Sequence, residues 1–266
     1  MLNKIVIIGS GNLAWHLAHA LYLADISVLQ VYSRNLVHAQ KLAYKIKAVA
    51  IDTFENLSPN ADAYILALAD DVQENFAQHF PFKNKLLIHT SGSLSIDILS
   101  SNQETGVFYP LQTFSKDIPL TFSHIPICIE ASSSNIQTQL VSLAKTLNCK
   151  WFILDSEKRK IIHIAAVFGS NFTNHMIAIT EHILNSENIP HEIIYPLINQ
   201  TIAKIPIHSA NSSQTGPAFR DDKKIMEKHI SILNNTFPEF SELYKTISSS
   251  IFEFKINKTD NNDTAR

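Results

Sequence analysis

The sequence predicts an α/β domain built on a mostly parallel sheet, followed by an all-α domain. Three observations carry this. The apolar run Ile5-Val6-Ile7-Ile8 stops at Gly9-Ser10-Gly11 and passes into a helical pattern. Strand and helix signals then alternate as far as Leu154. From Ser156 no strand signal remains, and apolar residues recur at intervals of three and four.

The elements follow in order. Residues 4–8 are β-branched and bounded by glycine, which suits a buried parallel strand. After the turn, Leu13, Leu17, Ala20 and Leu21 share one face of a helix. The chain has only six glycines, where average composition would give roughly three times as many, and two of the six lie in this turn. In the G-x-G-x-x-G/A fingerprint the first glycine makes the turn and the second lets a pyrophosphate approach the backbone. The third position must be small so that helix packs on strand. Gly9, Gly11 and Ala14 fill these places, and the N–H groups around Ser10, Asn12 and Leu13 would face the pyrophosphate. A Rossmann-type dinucleotide site is therefore expected.

The second strand, residues 26–32, ends at Ser33-Arg34-Asn35 without a carboxylate. An acid at this strand end holds the ribose 2′-hydroxyl of NAD, whereas an arginine accommodates the 2′-phosphate of NADP. Ser33 can donate to a phosphate, and Arg34 is one of four arginines against eighteen lysines. NADP is expected over NAD, with Arg34 as an exposed helix cap the alternative. The missing acid also counts against an S-adenosylmethionine methyltransferase.

A helix over 36–47, a short strand over 48–50 and a buried strand over 63–68 come next. Ligands of open α/β sheets lie outside the carboxyl ends of the strands, so Leu68, Ala69 and Asp70 line the cofactor trough, unless Asp70 or Asp71 simply caps the following helix. A strand over 85–88 leads into His89-Thr90-Ser91-Gly92-Ser93. Residues 106–114, 125–129 and 151–154 supply further strands, with a helix over 137–147. Ser156 and Glu157 then open a helix of about thirty residues, some 45 Å long, carrying Ile161, Ile164, Phe168, Phe172, Met176 and Ile179. Helices near 191–208, 221–235 and 239–250 complete the chain. The predicted domains are 1–155 and 156–266, with 255–266 a frayed polar tail.

Other classes are disfavoured. A net charge of −2 without a basic stripe argues against a nucleic-acid partner. No stretch approaches 18 apolar residues and no signal peptide is visible, so a cytoplasmic protein off the membrane is expected. Cys128 and Cys149 sit in apolar surroundings and fit a reducing compartment. No metal is expected: His16 and His19 lack nearby carboxylates, and His191-Glu192-Ile193-Ile194-Tyr195 lacks the second histidine of a zinc-protease helix. No G-x-S-x-G elbow is present.

Residues 9–14, 66–71, 89–92, 108–114, 166–174 and 214–221, in this order, resemble the family that pairs a Rossmann-like domain with a DUF2520 domain. That family is similar in architecture to pyrroline-5-carboxylate reductase, ketopantoate reductase and the β-hydroxyacid dehydrogenases. Its second domain resembles the helical C-terminal domain of 6-phosphogluconate dehydrogenase. The resemblance implies an NADP-dependent oxidoreductase whose substrate is not established for the family. The leading expectation is a reductase of a small carbonyl or imine compound bound between the domains. The competing one is a nucleotide-binding sensor or assembly protein without turnover. A long helix with more apolar surface than a small helical domain can cover also points to a homodimer.

Hydride transfer to C=O or C=N needs a dry slot and a proton donor or polar clamp on the heteroatom. His89 is a candidate donor, or else a turn cap, and Ser91, Gly92, Gln112 and Thr113 are candidate substrate contacts. On the long helix Asn171, Asn174 and His175 interrupt the apolar stripe, and an unpaired buried polar group would cost about 1–3 kcal/mol. Asn171 and His175 are therefore taken as site residues. Gly169, costly in a helix by about 1 kcal/mol, suggests close approach of a ligand or another helix. Arg220 either clamps a substrate carboxylate or pairs with Asp221. β-Hydroxyacid dehydrogenases carry a catalytic lysine a little before an asparagine on this helix, and here none lies between Ile161 and Ile179. His163 is the ionisable side chain close upstream, or else a partly buried core histidine.

Overall fold

The computed structural model describes the backbone of residues 2–99 and 104–263, with side chains as far as Ile256. Eight strands form one sheet: β1 Lys4–Ile8, β2 Ser27–Tyr32, β3 Val49–Ile51, β4 Ala63–Leu66, β5 Leu86–His89, β6 Thr105–Pro110, β7 Ile127–Ala131 and β8 Trp151–Ile153. Their order across the sheet is β3-β2-β1-β4-β5-β6-β7-β8. β1 to β6 are parallel, β7 runs antiparallel to β6, and β8 pairs parallel with β7. The first six strands thus take the doubly wound Rossmann order. Every residue of β4 and β5 is buried, as expected of parallel strands covered on both faces. The strand expected over 106–114 stops at Pro110, and the chain turns there with Gln112 N–H donating to Pro110 O.

Alternate residues of β1 feed two cores. Ile5 and Ile7 pack with Leu17 and Leu21 on one face, whereas Val6 and Ile8 pack with Tyr64, Leu66 and Phe76 on the other. The helices of these layers are α1 Asn12–Leu23, α2 Leu36–Ile46, α3 Asp70–Gln78 and α4 Ser134–Thr146. Cys128 and Cys149 are free and buried, and burial pushes the Cys149 thiol up to about 11.

The long helix is present as a run from Ser156 to Ser186, but in three parts: α5 Ser156–Ala166, a π-helical segment Val167–Phe172, and α6 Thr173–Ser186. The chain divides into compact units at Met1–Thr173 and Asn174–Arg266. Asp155, where the periodicity of the sequence changes, caps α5 by accepting from the Lys158 N–H at 2.8 Å. This helix belongs with the sheet because Arg159, fully buried, donates to Leu94 O (2.8 Å) and Glu130 Oε2 (2.9 Å).

The second unit holds most of α6, a 3-10 turn at His191–Ile194, α7 Tyr195–His208, a one-turn α8 Pro217–Arg220, α9 Lys223–Thr236 and α10 Pro238–Asp263. Tyr195 Oη donates to Glu181 (2.9 Å), and Ser241 Oγ on α10 donates to Asn234 on α9 (2.7 Å). α10 runs past Lys255, where polar composition predicts a frayed tail. Lys255 Nζ donates to Phe219 O (2.8 Å) and stands over the Phe219 ring, tying that turn down. Residues 264–266 of that predicted tail lie outside the described residues.

Candidate functional site

The strand order reverses between β1 and β4, and a cleft of about 830 Å3 opens at their carboxyl ends. Seven predicted residues line it together: Gly9, Ser10, Gly11, Ser33, Arg34, Leu68 and Ala69. Gly9 has φ +126°, and a Cβ there would stand 2.2 Å from Ala67 O, so the turn demands glycine. A Cβ on Gly11 would meet nothing within 4 Å, because its α-carbon faces the open cleft. Ala14 is fully buried, as the third small position requires. Ser10 Oγ donates to Ser33 Oγ at 3.0 Å, joining the glycine turn to the end of β2.

The helix starts divide into two kinds. α2, α4 and α5 are capped by the side chains of Asn35, Ser133 and Asp155. α1 and α3 start at Gly11 and Ala69 without a side-chain cap, and both of these residues line the cleft. Two sets of unsatisfied helix N–H groups therefore open on one space beside Arg34, which is the chemistry a pyrophosphate and a 2′-phosphate require. A dinucleotide phosphate fits the residues present.

Some expectations are placed differently. Asn12 and Leu13 belong to the first turn of α1 but are not among the residues lining the cleft, and Asp71 lines it rather than Asp70. Asp70 turns instead to the loop after β5. Its Oδ2 accepts from Ser91 Oγ at 3.0 Å and from Ser93 Oγ, while Gln73 Nε2 donates to Oδ1 at 3.4 Å. Ser91 Oγ also accepts the N–H groups of Ser93 and Leu94, both at 3.1 Å, so Asp70 and Ser91 build the loop.

His89 is fully buried at the end of β5 and does not reach open space. Its Nδ1 accepts the Ser91 N–H at 3.2 Å, and Nε2 has no hydrogen-bond partner. Burial, followed by the Arg159 charge, lowers its pKa to about 3 against a weaker opposite pull from the Ser95 backbone. The imidazole is neutral and holds the turn.

Gly92 marks a convergence that its sequence neighbours do not reveal. A Cβ there would lie 2.7 Å from both Tyr109 Cζ and His163 Nδ1 and 2.9 Å from Tyr109 Oη. Gln112 and Thr113 are exposed in the loop after β6, where Gln112 Oε1 accepts the Thr113 N–H at 2.9 Å. Asn171 is exposed within the π segment. In the helical unit His175 is exposed on α6 and Arg220 is exposed at the end of α8. Asp221 lies 4.0 Å from Lys223, and no Arg220–Asp221 pair forms among the described residues.

Sequence reading missed several lining residues. Phe54 and Phe76, with ring centroids 4.7 Å apart, form an aromatic wall of the cleft with Tyr32. His38 lines it from the first turn of α2, four residues after Arg34. Among the described residues no helix is long and apolar enough to cross a membrane, and no group of three His, Cys, Asp or Glu is placed to hold a metal ion.

Fold and cleft together define a protein of the Rossmann dinucleotide-binding type. A family model described as "NADP oxidoreductase coenzyme F420-dependent" matches residues 4–92, and one described as "Domain of unknown function (DUF2520)" matches residues 125–251. The chain is similar to the crystal structure of "putative NADP oxidoreductase BF3122 from Bacteroides fragilis", at 38% identity and TM-score 0.88 over 94% of this chain and 98% of that one. At this likeness the chain belongs to that NADP oxidoreductase family with a DUF2520 domain. NADP, the cofactor expected from Ser33 and Arg34, stands in that family description beside coenzyme F420.

More distant structures share the fold. Pyrroline-5-carboxylate reductase from Streptococcus pyogenes is 16% identical with TM-score 0.61, over 94% of this chain and 98% of that one. An imine reductase from Myxococcus stipitatus in complex with NADP+ is 13% identical with TM-score 0.63, over 97% and 94%. No curated protein matches the chain.

Proposed function

We propose that the chain binds NADP(H) in the cleft between β1 and β4 and reduces a small carbonyl or imine compound, or oxidises the product in reverse. The observation that carries this reading is the meeting of the Gly9–Gly11 turn, two helix starts without side-chain caps and the Ser33-Arg34 pair in one cleft. Gly11 leaves room for the pyrophosphate, and Ser33 and Arg34 hold the 2′-phosphate. When bound, the cofactor supplies the hydride. Ser91 and Gly92 contact the substrate on the sheet side, His89 keeps their turn in place, and Gln112 and Thr113 lie on the loop beyond β6. Asn171, exposed on the π segment of the same unit, is a further polar side chain offered to the substrate. The names of the fold relatives make cyclic imines the first class to assay.

The protein acts as a homodimer in this reading. Support comes from apolar side chains left exposed along the helices, among them Phe168, Leu197 and Ile232.

Calorimetry with NADPH and NADH tests the cofactor, with NADPH expected to bind the tighter by at least tenfold. Oxidation of NADPH in the presence of small imines and keto acids tests the reaction. Failure to bind NADPH overturns the reading. NADPH binding without oxidation by any compound leaves the nucleotide sensor.

A further inference from the structure

We propose that Tyr109 is the proton donor of this reductase and that His163 relays the proton to it, the pair meeting over the bare α-carbon of Gly92. The inference rests on the reductase reading above.

Strand order gives the position. The 2′-phosphate end of the site is at β2 and the glycine turn at β1, so a dinucleotide whose phosphates lie there extends its reactive end toward β4 and β5. Neighbouring strands are about 4.8 Å apart, which sets the ends of β2 and β5 about 14 Å from each other. Gly92 follows β5, and Tyr109 is the penultimate residue of β6, the next parallel strand. The loop carrying Gly92 is joined to the start of α3 through Ser91 and Asp70, and Asp71 beside it lines the cleft.

Geometry gives the pairing. Tyr109 Oη stands 3.2 Å from His163 Nδ1, with the rings edge to face at 6.2 Å between centroids. Three elements converge here: β6, α5 and the loop after β5. The clash distances at Gly92 mean that no larger residue can stand there with the pair in place. Both side chains are half-buried.

Chemistry gives the role. Burial, with Cys128 adding to it, pushes the Tyr109 phenol up to about 12, and Arg159 acts the other way. A phenol so held stays protonated and serves as an acid. As the new C–H bond forms at the carbonyl or imine carbon, the π pair of the C=O or C=N bond moves to the heteroatom. The Tyr109 Oη proton bonds to that atom. The phenolate takes the Nδ1 proton of His163 as the ring's Nε2 takes one from water, so that the ring stays neutral, and the hydroxide left is neutralised by the one solvent proton that the reaction consumes. The substrate gains two electrons and one proton beyond the transferred hydrogen's own nucleus, and NADPH leaves oxidised as NADP+.

The test uses the full chain, with pyrroline-5-carboxylate, methylpyrroline and pyruvate as probes. In Tyr109→Phe, NADPH affinity should stay within about twofold of wild type while kcat falls about 100-fold, the scale of general acid catalysis. His163→Ala should lose a similar factor, and added imidazole should restore part of it, which a merely structural role would not allow. Without any substrate, Tyr109→Phe should shift the His163 Nδ1 signal in nitrogen-15 NMR. Wild-type kcat in a Tyr109→Phe protein that binds NADPH overturns the proposal, as does a folded His163→Ala that imidazole fails to rescue. A wild-type protein that binds no NADPH, or oxidises it with no probe, overturns the reductase reading and this inference with it, and is recognised before any variant is made.

Discussion

In the proposed reading Arg34 supplies the charge that selects the cofactor, beside the Ser33 hydroxyl. Charge-assisted hydrogen bonds are worth about 1.5–3 kcal/mol, so Arg34→Ala should weaken NADPH binding by about 10- to 100-fold in calorimetry and leave NADH within about twofold. His89 makes a different demand. Its pKa is about 3 in the folded protein and about 6.5 in an unfolded chain. Between these values the unfolded state binds more protons, so the stabilisation is fully present above about pH 6.5 and is lost as pH falls toward 3. Urea melts between pH 6.5 and 4 should lose up to about 1.4 kcal/mol per pH unit from this group. In His89→Gln, whose amide can still accept the Ser91 N–H, that dependence should flatten. The residues that line the cleft were legible in sequence because they are local: a turn of three residues and the end of one strand. Tyr109 and His163 are 54 residues apart and meet only once β6 and α5 are packed, and the spacing of neither segment announces the other.

Among the elements, α5 is the one whose allegiance the sequence obscures. Its apolar spacing continues smoothly into α6, yet Arg159 binds it to Glu130 of β7 and to the loop after β5. An arginine standing between Lys158 and Lys160 reads as one more solvated charge and gives no sign of a partner 29 positions earlier. The π segment was equally hidden, since Phe168 and Phe172 keep a spacing of four across it. Gly169 sits in this segment, and a Cβ there would meet nothing within 4 Å. Gly169→Ala should therefore raise stability in a denaturant melt by about 0.5–1 kcal/mol, the usual gain from replacing a helical glycine. An activity lost in a variant that melts higher would show that the bare α-carbon serves a ligand or a second copy.

At the scale of the whole molecule, the eight-stranded sheet and the helical half were both predictable, because buried strands and helical periodicity leave repeating marks. Assembly leaves weaker ones. With Phe168 65%, Leu197 62% and Ile232 58% exposed, light scattering should give twice the 29.9 kDa of the chain, and Leu197→Lys should return it to the single mass. The π segment has a consequence for how this chain can change over generations. Wide turns of this kind hold one residue more than the α-helix around them, so a single-codon deletion within 167–172 could be absorbed by tightening to an ordinary turn. Each residue of α-helix advances by about 100°. Such a deletion would leave α6 in phase, whereas one in the regular turns of α5 would rotate every later side chain by that angle, His175 included, so this short stretch is where the helix can lose a residue without changing which side chains point where.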